Sequence, residues 1–136
     1  MTVIAKGVSN KRQIKTFVPG AVSNIFTSIE HATAMNFVAD KISVECVALD
    51  DLSLKPPVVL KIDVEGQEFE VLEGAESLFM SGSIKAVYID GYTDSRVETF
   101  LINRGFDLFD AISLRKVNAT CFALLALPRV DLRRNV

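Results

Sequence analysis

"VVLKIDVEGQEFEVLEGAESLF", from Val58 to Phe79, is the stretch that decides the fold of this 136-residue chain. It begins as an apolar run interrupted only by Lys61, a pattern typical of a parallel strand that is covered on both faces. From Gln67 the apolar residues recur at helical spacing, which predicts an amphipathic helix. The stripe of that helix comprises Phe69, Val71, Leu72, Ala75, Leu78 and Phe79. The stretch therefore predicts a buried strand that leads directly into a helix.

Further strands and helices follow downstream of this unit. "IKAVYID", from Ile84 to Asp90, is a second apolar strand, and a short helix follows in which Ser95 and Glu98 have capping-box spacing. The last two runs, "FDLFDAI" and "ATCFALLAL", are strands that can pair in antiparallel fashion. Strands that alternate with helices indicate an α/β fold with a mainly parallel sheet.

The residues before Val58 predict shorter strands. Residues 1–5 form a first strand and residues 13–20 a second, which ends at a Pro-Gly turn. Residues 21–40 fit either a helix or a covering loop, and residues 41–48 alternate as a half-buried strand with Ile42, Val44, Cys46 and Ala48 inward. We predict one domain over residues 1–136, in which residues 1–50 hold the early strands and covering loop, and residues 58–128 hold a strand–helix–strand–helix–hairpin half.

The composition excludes several classes of protein. A net charge of -2 provides no basic surface for nucleic acid, and no apolar run reaches the length of about 20 residues that a membrane helix needs. Cys46 and Cys121 lie in apolar runs, which fits buried thiols and a reducing compartment. Without a signal-peptide pattern the chain is predicted to be cytoplasmic. The basic cluster of Arg129, Arg133 and Arg134 is interpreted as a solvated tail.

Carboxylates stand where two predicted strands end. Asp63 and Glu65 follow the strand that begins at Val58, and Asp90 ends the strand that begins at Ile84. Ligands of open parallel sheets bind beyond the carboxyl ends of the strands. The carboxylates suit a divalent metal, a substrate hydroxyl or amine, or a general base. Lys61 shares a face with Asp63 if the strand stays regular. It either forms an internal ion pair that allows the lysine to be buried, or helps to orient substrate or cofactor. Glu65 also fits the start of a helix without any further role.

Other candidate residues carry less chemistry. His31 is the only histidine, so a Ser-His-Asp site or a metal site with several histidines is not supported. His31 is interpreted as a surface or loop residue. Asp50 and Asp51 look like a metal pair but lie in a turn where helix capping or solvated charge is commoner. A metal-dependent hydrolase that uses Asp63, Glu65 and Asp90 is a further alternative.

The sequence also resembles a known family. "LKIDVEGQEFEVLEGA", from Leu60 to Ala75, closely resembles the signature of the FkbM family of methyltransferases. "VALDDL", from Val47 to Leu52, looks like the segment that precedes it, and "AKGVSN", from Ala5 to Asn10, resembles the family's Ala-Leu-Ser-Asp loop with Gly7 in place of the alanine. The resemblance implies a Rossmann-like class I fold and transfer of a methyl group from S-adenosylmethionine to an oxygen of a small molecule or glycan.

The resemblance also implies roles for individual residues. Asp63 and Glu65 would lie beside the methyl donor and acceptor, and Asp90, where the family usually has a glutamate, would be a base. The loop Gly7, Val8 and Ser9 would lie near the adenine. Magnesium-assisted and metal-independent transfer both remain open, because both tolerate these carboxylates.

The chain departs from the family in its cofactor motif. The family's first strand, its glycine-rich turn and a second strand that ends in an acid are not found, and no Gly-x-Gly occurs. The sequence therefore resembles an N-terminally truncated domain whose Val58 strand has an open edge. The chain is expected either to be the C-terminal portion of a longer enzyme, or to cover that edge by forming a homodimer or by repacking its N-terminal strands. The alternative is a non-catalytic remnant or assembly module that keeps the latter half of the fold.

Overall fold

The computed structural model describes residues 2–19, 26–28, 41–64 and 66–130. Its strands are β1 Gly7–Val8, β2 Gln13–Pro19, β3 Phe26–Ser28, β4 Ile42–Val47, β5 Val58–Ile62, β6 Ile84–Asp90, β7 Phe106–Asp110 and β8 Ala123–Pro128. Its helices are α1 Glu68–Glu73, α2 Glu76–Met80 and α3 Arg96–Asn103, with a 3-10 turn at Leu49–Asp51. None of the helices in these described ranges is long and apolar enough to cross a membrane.

The strands form two mixed sheets. The first has the order β1-β4-β2-β3 and the second the order β5-β6-β8-β7. Within each sheet one neighbouring pair is parallel, β1 with β4 and β5 with β6, and the other pairs are antiparallel. The expectation of a mainly parallel sheet is therefore wrong. The reason is that β8 inserts between β6 and β7 in the opposite direction, although β5, β6 and β7 all run the same way.

The helices cover one face of the second sheet. Val58, Leu60 and Ile62 of β5 point into that buried core, whereas Val59 on the opposite face is 70% exposed. Burial of β5 on both faces is not observed among the described residues. The core is completed by aromatic rings in edge-to-face contact, with centroid distances of 6.0, 5.3 and 5.5 Å for the pairs Phe69–Phe100, Phe79–Phe100 and Phe79–Phe106.

The single helix predicted after Gln67 is two short helices, α1 and α2. The break falls at Gly74, whose carbonyl accepts a hydrogen bond of 2.8 Å from the Asp50 amide. A Cβ on Gly74 would lie 2.2 Å from the Ser9 carbonyl oxygen, so only glycine fits at this contact. The Asp50 carboxylate then accepts bonds of 2.8 and 3.1 Å from the amides of Ser77 and Leu78 and caps the new helix. The capping interpretation of Asp50 is confirmed.

The amino-terminal strands differ from the prediction in their bounds. Residues 2–5 are not in a strand, and β1 lies instead at Gly7–Val8, where a break was expected. β2 and β4 occur as predicted, but β4 is buried only toward its end, since Ile42 is 42% exposed and Cys46 is fully buried. Of residues 21–40 only 26–28 are described, as β3. His31, Arg133 and Arg134 lie outside the described residues.

The start of α3 also differs from the prediction. Ser95 precedes the helix but makes no side-chain capping bond, and Glu98 is buried instead of reaching back to it. The amide of Arg96 is bound by the Asp94 carboxylate at 2.9 Å. Both cysteines are free thiols; Cys46 is buried and Cys121 half-buried.

Candidate functional site

The carboxyl ends of three strands meet at one edge of the second sheet. β5 and β6 are parallel, and β7 runs in the same direction because β8 is antiparallel to both β6 and β7. Asp63 directly follows β5, while Asp90 and Asp110 are the last residues of β6 and β7. We call this end, marked by Asp63, Asp90 and Asp110, the carboxyl edge. It is the place where ligands of such sheets bind.

Lys61 and Asp63 form an ion pair at the carboxyl edge. The Lys61 Nζ lies 2.7 Å from the Asp63 Oδ2, which confirms that the two side chains share a face. Their side chains are 61% and 56% exposed, so the expectation of a buried lysine is wrong. The hydrogen bond to Asp63 raises the pKa of Lys61, and the charges of Asp63 and Asp90 act in the same direction. Lys61 therefore stays an ammonium group at neutral pH and is not a general base.

At the carboxyl edge, the carboxylate of Asp90 is the one that is not occupied by a hydrogen bond or an ion pair with a described residue. It is half-buried, and among the described residues no hydrogen bond or ion pair engages its side chain. The chain turns immediately afterwards at Gly91, whose φ of 67° is in the left-handed region that glycine favours. Asp90 is therefore a carboxylate that is partly shielded from water and is not occupied by a hydrogen bond to a described residue. Glu65, the third predicted carboxylate, lies outside the described residues.

Tyr88 belongs to the same face and was not singled out in the sequence. The register of β5 and β6 pairs Lys61 with Tyr88, and Asp90 follows two residues later on the same face. The period-two alternation of "IKAVYID" was the signal that could have found it. Within the described ranges, no three His, Cys, Asp or Glu side chains are close enough together to hold a metal ion.

The segment Gly7 to Ser9 lies at the end of the first sheet. Gly7 and Val8 pair with Cys46 and Val47 and are half-buried. Ser9 is fully buried, and its hydroxyl accepts a hydrogen bond of 3.0 Å from the side-chain Nε2 of Gln13. The Ser9 side chain is therefore already engaged within the protein. Its carbonyl faces Gly74, which places this segment against the end of α1.

A buried polar pair lies behind the carboxyl edge. The Tyr92 hydroxyl donates a hydrogen bond of 2.9 Å to Glu98 Oε1, and the two residues are 3% and 5% exposed. Burial strongly raises the pKa of Tyr92, and the hydrogen bond to Glu98 is the next largest cause of this rise. Glu98 Oε2 has no hydrogen-bond partner among the described residues. The spacing of Ser95 and Glu98 indicated a helix cap, so nothing in the sequence pointed to the pairing of Glu98 with Tyr92.

Comparison with known proteins adds one finding. A family model described as the methyltransferase FkbM domain matches residues 2–108, which include the Gly7–Ser9 segment, Lys61, Asp63 and Asp90. The match ends inside β7, so β8 lies beyond it. No curated protein matches the chain, and no solved structure does.

Proposed function

We propose, because the chain belongs to the FkbM methyltransferase family, that it methylates a hydroxyl oxygen of a small molecule or glycan with S-adenosylmethionine as the methyl donor. The arrangement of Asp63 and Asp90 at the carboxyl edge is the observation that supports the site. S-adenosylmethionine would supply a methyl group on a positively charged sulfur, which is an electrophilic carbon. The chain's own residues would bind the acceptor and remove its proton.

Asp90 is the proposed general base. The Asp90 carboxylate would take the hydroxyl proton as the acceptor oxygen becomes methylated. The donor would supply the methyl group and keep the electron pair of its carbon–sulfur bond as a neutral thioether. Asp90 suits this role because its carboxylate forms no hydrogen bond or ion pair with a described residue. Removal of the proton by a positioned base accelerates such reactions by about 100-fold to 10,000-fold.

Lys61 and Asp63 are the proposed positioning residues for the bound molecules. Since Lys61 keeps its charge, it would donate hydrogen bonds to acceptor oxygens and would not take a proton. Asp63 is more than half exposed and has a second carboxylate oxygen available to accept from a hydroxyl or amine. Holding the reacting atoms together contributes to the rate by lowering the entropy lost in reaching the transition state. Glu65 remains part of this proposal by family resemblance.

The residues of this chain fit only part of the methyl donor. Asp63 is accessible, whereas Ser9, predicted to lie near the adenine, is buried and bonded to Gln13. The sequence also lacks a Gly-x-Gly turn, and such turns let a backbone approach a nucleotide closely. We therefore expect weak binding of S-adenosylmethionine by the 136-residue chain and tighter binding when a glycine-rich segment is supplied upstream.

The experiment is a calorimetric titration of the chain with S-adenosylmethionine, together with transfer of a labelled methyl group to a panel of alcohols and glycosides. Asp90→Asn should reduce transfer by about 100-fold or more while leaving donor binding unchanged. Asp107→Asn is the matched control, because Asp107 pairs with Lys116 and Arg129 away from the carboxyl edge. Equal transfer by the Asp90→Asn variant, or no donor binding even with an upstream glycine-rich segment, would contradict the proposal.

A further inference from the structure

A small pocket lies beside the start of β7, at the end of that strand away from the carboxyl edge. Its volume is about 270 Å³. Pockets that hold drug-sized ligands have roughly 300–1,000 Å³, so this one fits a smaller molecule. We call it the β7 pocket, and its lining includes Ile102, Asp107, Leu108, Lys116, Val117 and Arg129.

The charged side chains of the β7 pocket leave it positive. Lys116 Nζ and Arg129 Nε lie 2.9 and 3.2 Å from the same oxygen of Asp107, its Oδ1. The hydrogen bond from Lys116 lowers the pKa of Asp107, so this carboxylate is charged at neutral pH. Among the described residues that line the pocket, two cations therefore face one carboxylate, which leaves a net charge of +1. A pocket of this charge attracts an anion.

Both cations keep hydrogen-bond donors that Asp107 does not use. Arg129 engages Asp107 through Nε, and its two Nη groups form no hydrogen bond with a described residue. Lys116 has three N–H donors and a single ion pair. Their side chains are 66% exposed for Lys116 and 51% for Arg129, so an incoming ligand can reach these donors. The two oxygens of a carboxylate match the paired N–H groups of an arginine.

The outer edge of β7 adds a backbone donor to the β7 pocket. The Arg129 amide donates a hydrogen bond of 2.8 Å to the Gly105 carbonyl, so the backbone of Gly105 faces the side of β8. Successive strand residues face alternate sides, and the Leu108 carbonyl accordingly accepts a bond of 2.9 Å from the Val117 amide on the outer side. The Leu108 amide faces that side too, where no backbone carbonyl of a described residue accepts from it. Because a buried N–H without a partner costs free energy, a bound anion would be stabilised there.

We propose that the β7 pocket binds a small carboxylate that carries a short apolar group. The carboxylate would meet Lys116, Arg129 and the Leu108 amide. Its apolar group would lie against Ile102 and Val117. The pocket and the carboxyl edge lie at opposite ends of β7, so this inference is independent of the proposed methyl transfer. Transfer measured without the carboxylate therefore does not depend on the β7 pocket.

The test is a titration of the isotope-labelled chain with hexanoate, followed by two-dimensional NMR. Hexanoate should shift the amide signals of Leu108 and Val117 saturably. The neutral probe 1-hexanol, which has the tail without the charge, should shift them far less. Lys116→Gln and Arg129→Gln should each weaken hexanoate binding about tenfold, because each removes one charge-assisted hydrogen bond to the carboxylate.

Arg115→Gln is the matched control, because Arg115 carries the same charge, is exposed and lies next to Lys116 but is not part of the lining of the β7 pocket. It should leave hexanoate binding unchanged. Equal weakening by Arg115→Gln, equal binding of hexanoate and 1-hexanol, or the absence of saturable shifts at Leu108 and Val117 would overturn the inference. Binding of inorganic phosphate with none of hexanoate would overturn it as well, because the site would then select a phosphate without an apolar group.

Discussion

At the scale of single residues, the pair of Tyr92 and Glu98 couples the proposed site to the core. Tyr92 lies two residues after Asp90, and its hydroxyl is held by a glutamate on α3. A buried hydrogen bond to a carboxylate contributes about 1.5–3 kcal/mol, and a partner left unsatisfied costs a comparable amount. The pair therefore fixes the turn that follows Asp90 against the helix layer.

Tyr92→Phe should lower the free energy of unfolding at neutral pH. It should also make that free energy fall less steeply as the pH rises above about 10. The pKa of Tyr92 is raised in the folded protein by burial and by Glu98. Above pH about 10 the unfolded chain releases the phenol proton while the folded chain keeps it, so the free energy of unfolding falls by about 1.4 kcal/mol per pH unit. Below pH about 10 the Tyr92 phenol is protonated in both the folded and the unfolded chain, so it adds no pH dependence to the free energy of unfolding.

Denaturant unfolding of wild type and Tyr92→Phe between pH 7 and 11 measures both effects. The variant should be less stable by about 1–3 kcal/mol at pH 7, because Glu98 loses its partner. Tyr88→Phe, which changes the other tyrosine, is the control at pH 7. It should keep the stability of the wild type, because no hydrogen bond to a described residue engages the Tyr88 hydroxyl. An unchanged slope in Tyr92→Phe would show that the phenol is not protected in the folded state.

At the scale of secondary-structure elements, local patterns predicted which elements form, and distant contacts set where they end. The change of period at Gln67 was enough to place β5 and the helix after it. The break at Gly74 was not predictable, because its causes, Ser9 and Asp50, lie far away in the sequence. Glu98 is a similar case: its spacing from Ser95 fits a cap, but burial beside Tyr92 was the stronger interaction.

Asp50→Ala should destabilise the protein by about 1 kcal/mol through loss of the cap on α2. Its carboxylate binds the amides of Ser77 and Leu78, which would otherwise lack intrahelical partners. Asp51→Ala is a close control, since Asp51 is exposed, carries the same charge and lies one residue away. Thermal unfolding of the two variants should separate them, and equal stability would show that the cap contributes nothing measurable.

At the scale of the whole molecule, the two sheets are joined by a few contacts that no periodicity reveals. Ser9 packs on Gly74, and Lys15 of β2 donates a hydrogen bond to Gln67 at the start of α1. The sequence predicted an α/β fold and the carboxylates at its strand ends. It did not predict that the strands divide into two mixed sheets, because strand direction depends on pairings between residues that are distant in the chain.

The division into sheets leaves β5 with one partner. Among the described residues β5 pairs only with β6, so the backbone groups on its other side have no strand partner. Val59 on this strand is 70% exposed, beside the charged Lys61. Open strand edges with apolar residues favour pairing with another chain. We therefore propose that two copies associate through β5, unless an upstream strand covers the edge first.

Val59→Lys should weaken this association, because a lysine on an edge strand must be desolvated, and brought near its symmetry mate, before the edges pair. Light scattering over a wide range of protein concentration should find wild type shifting toward twice the monomer mass while Val59→Lys stays monomeric. Ile14→Lys is the control: Ile14 is 75% exposed but belongs to β2 of the other sheet, where it pairs with Glu45 of β4. A wild-type chain that stays monomeric throughout would show that the β5 edge does not pair, and a dimer unaffected by Val59→Lys would place the contact elsewhere. An upstream strand that pairs with β5 should abolish the dimer, because it would occupy the same edge.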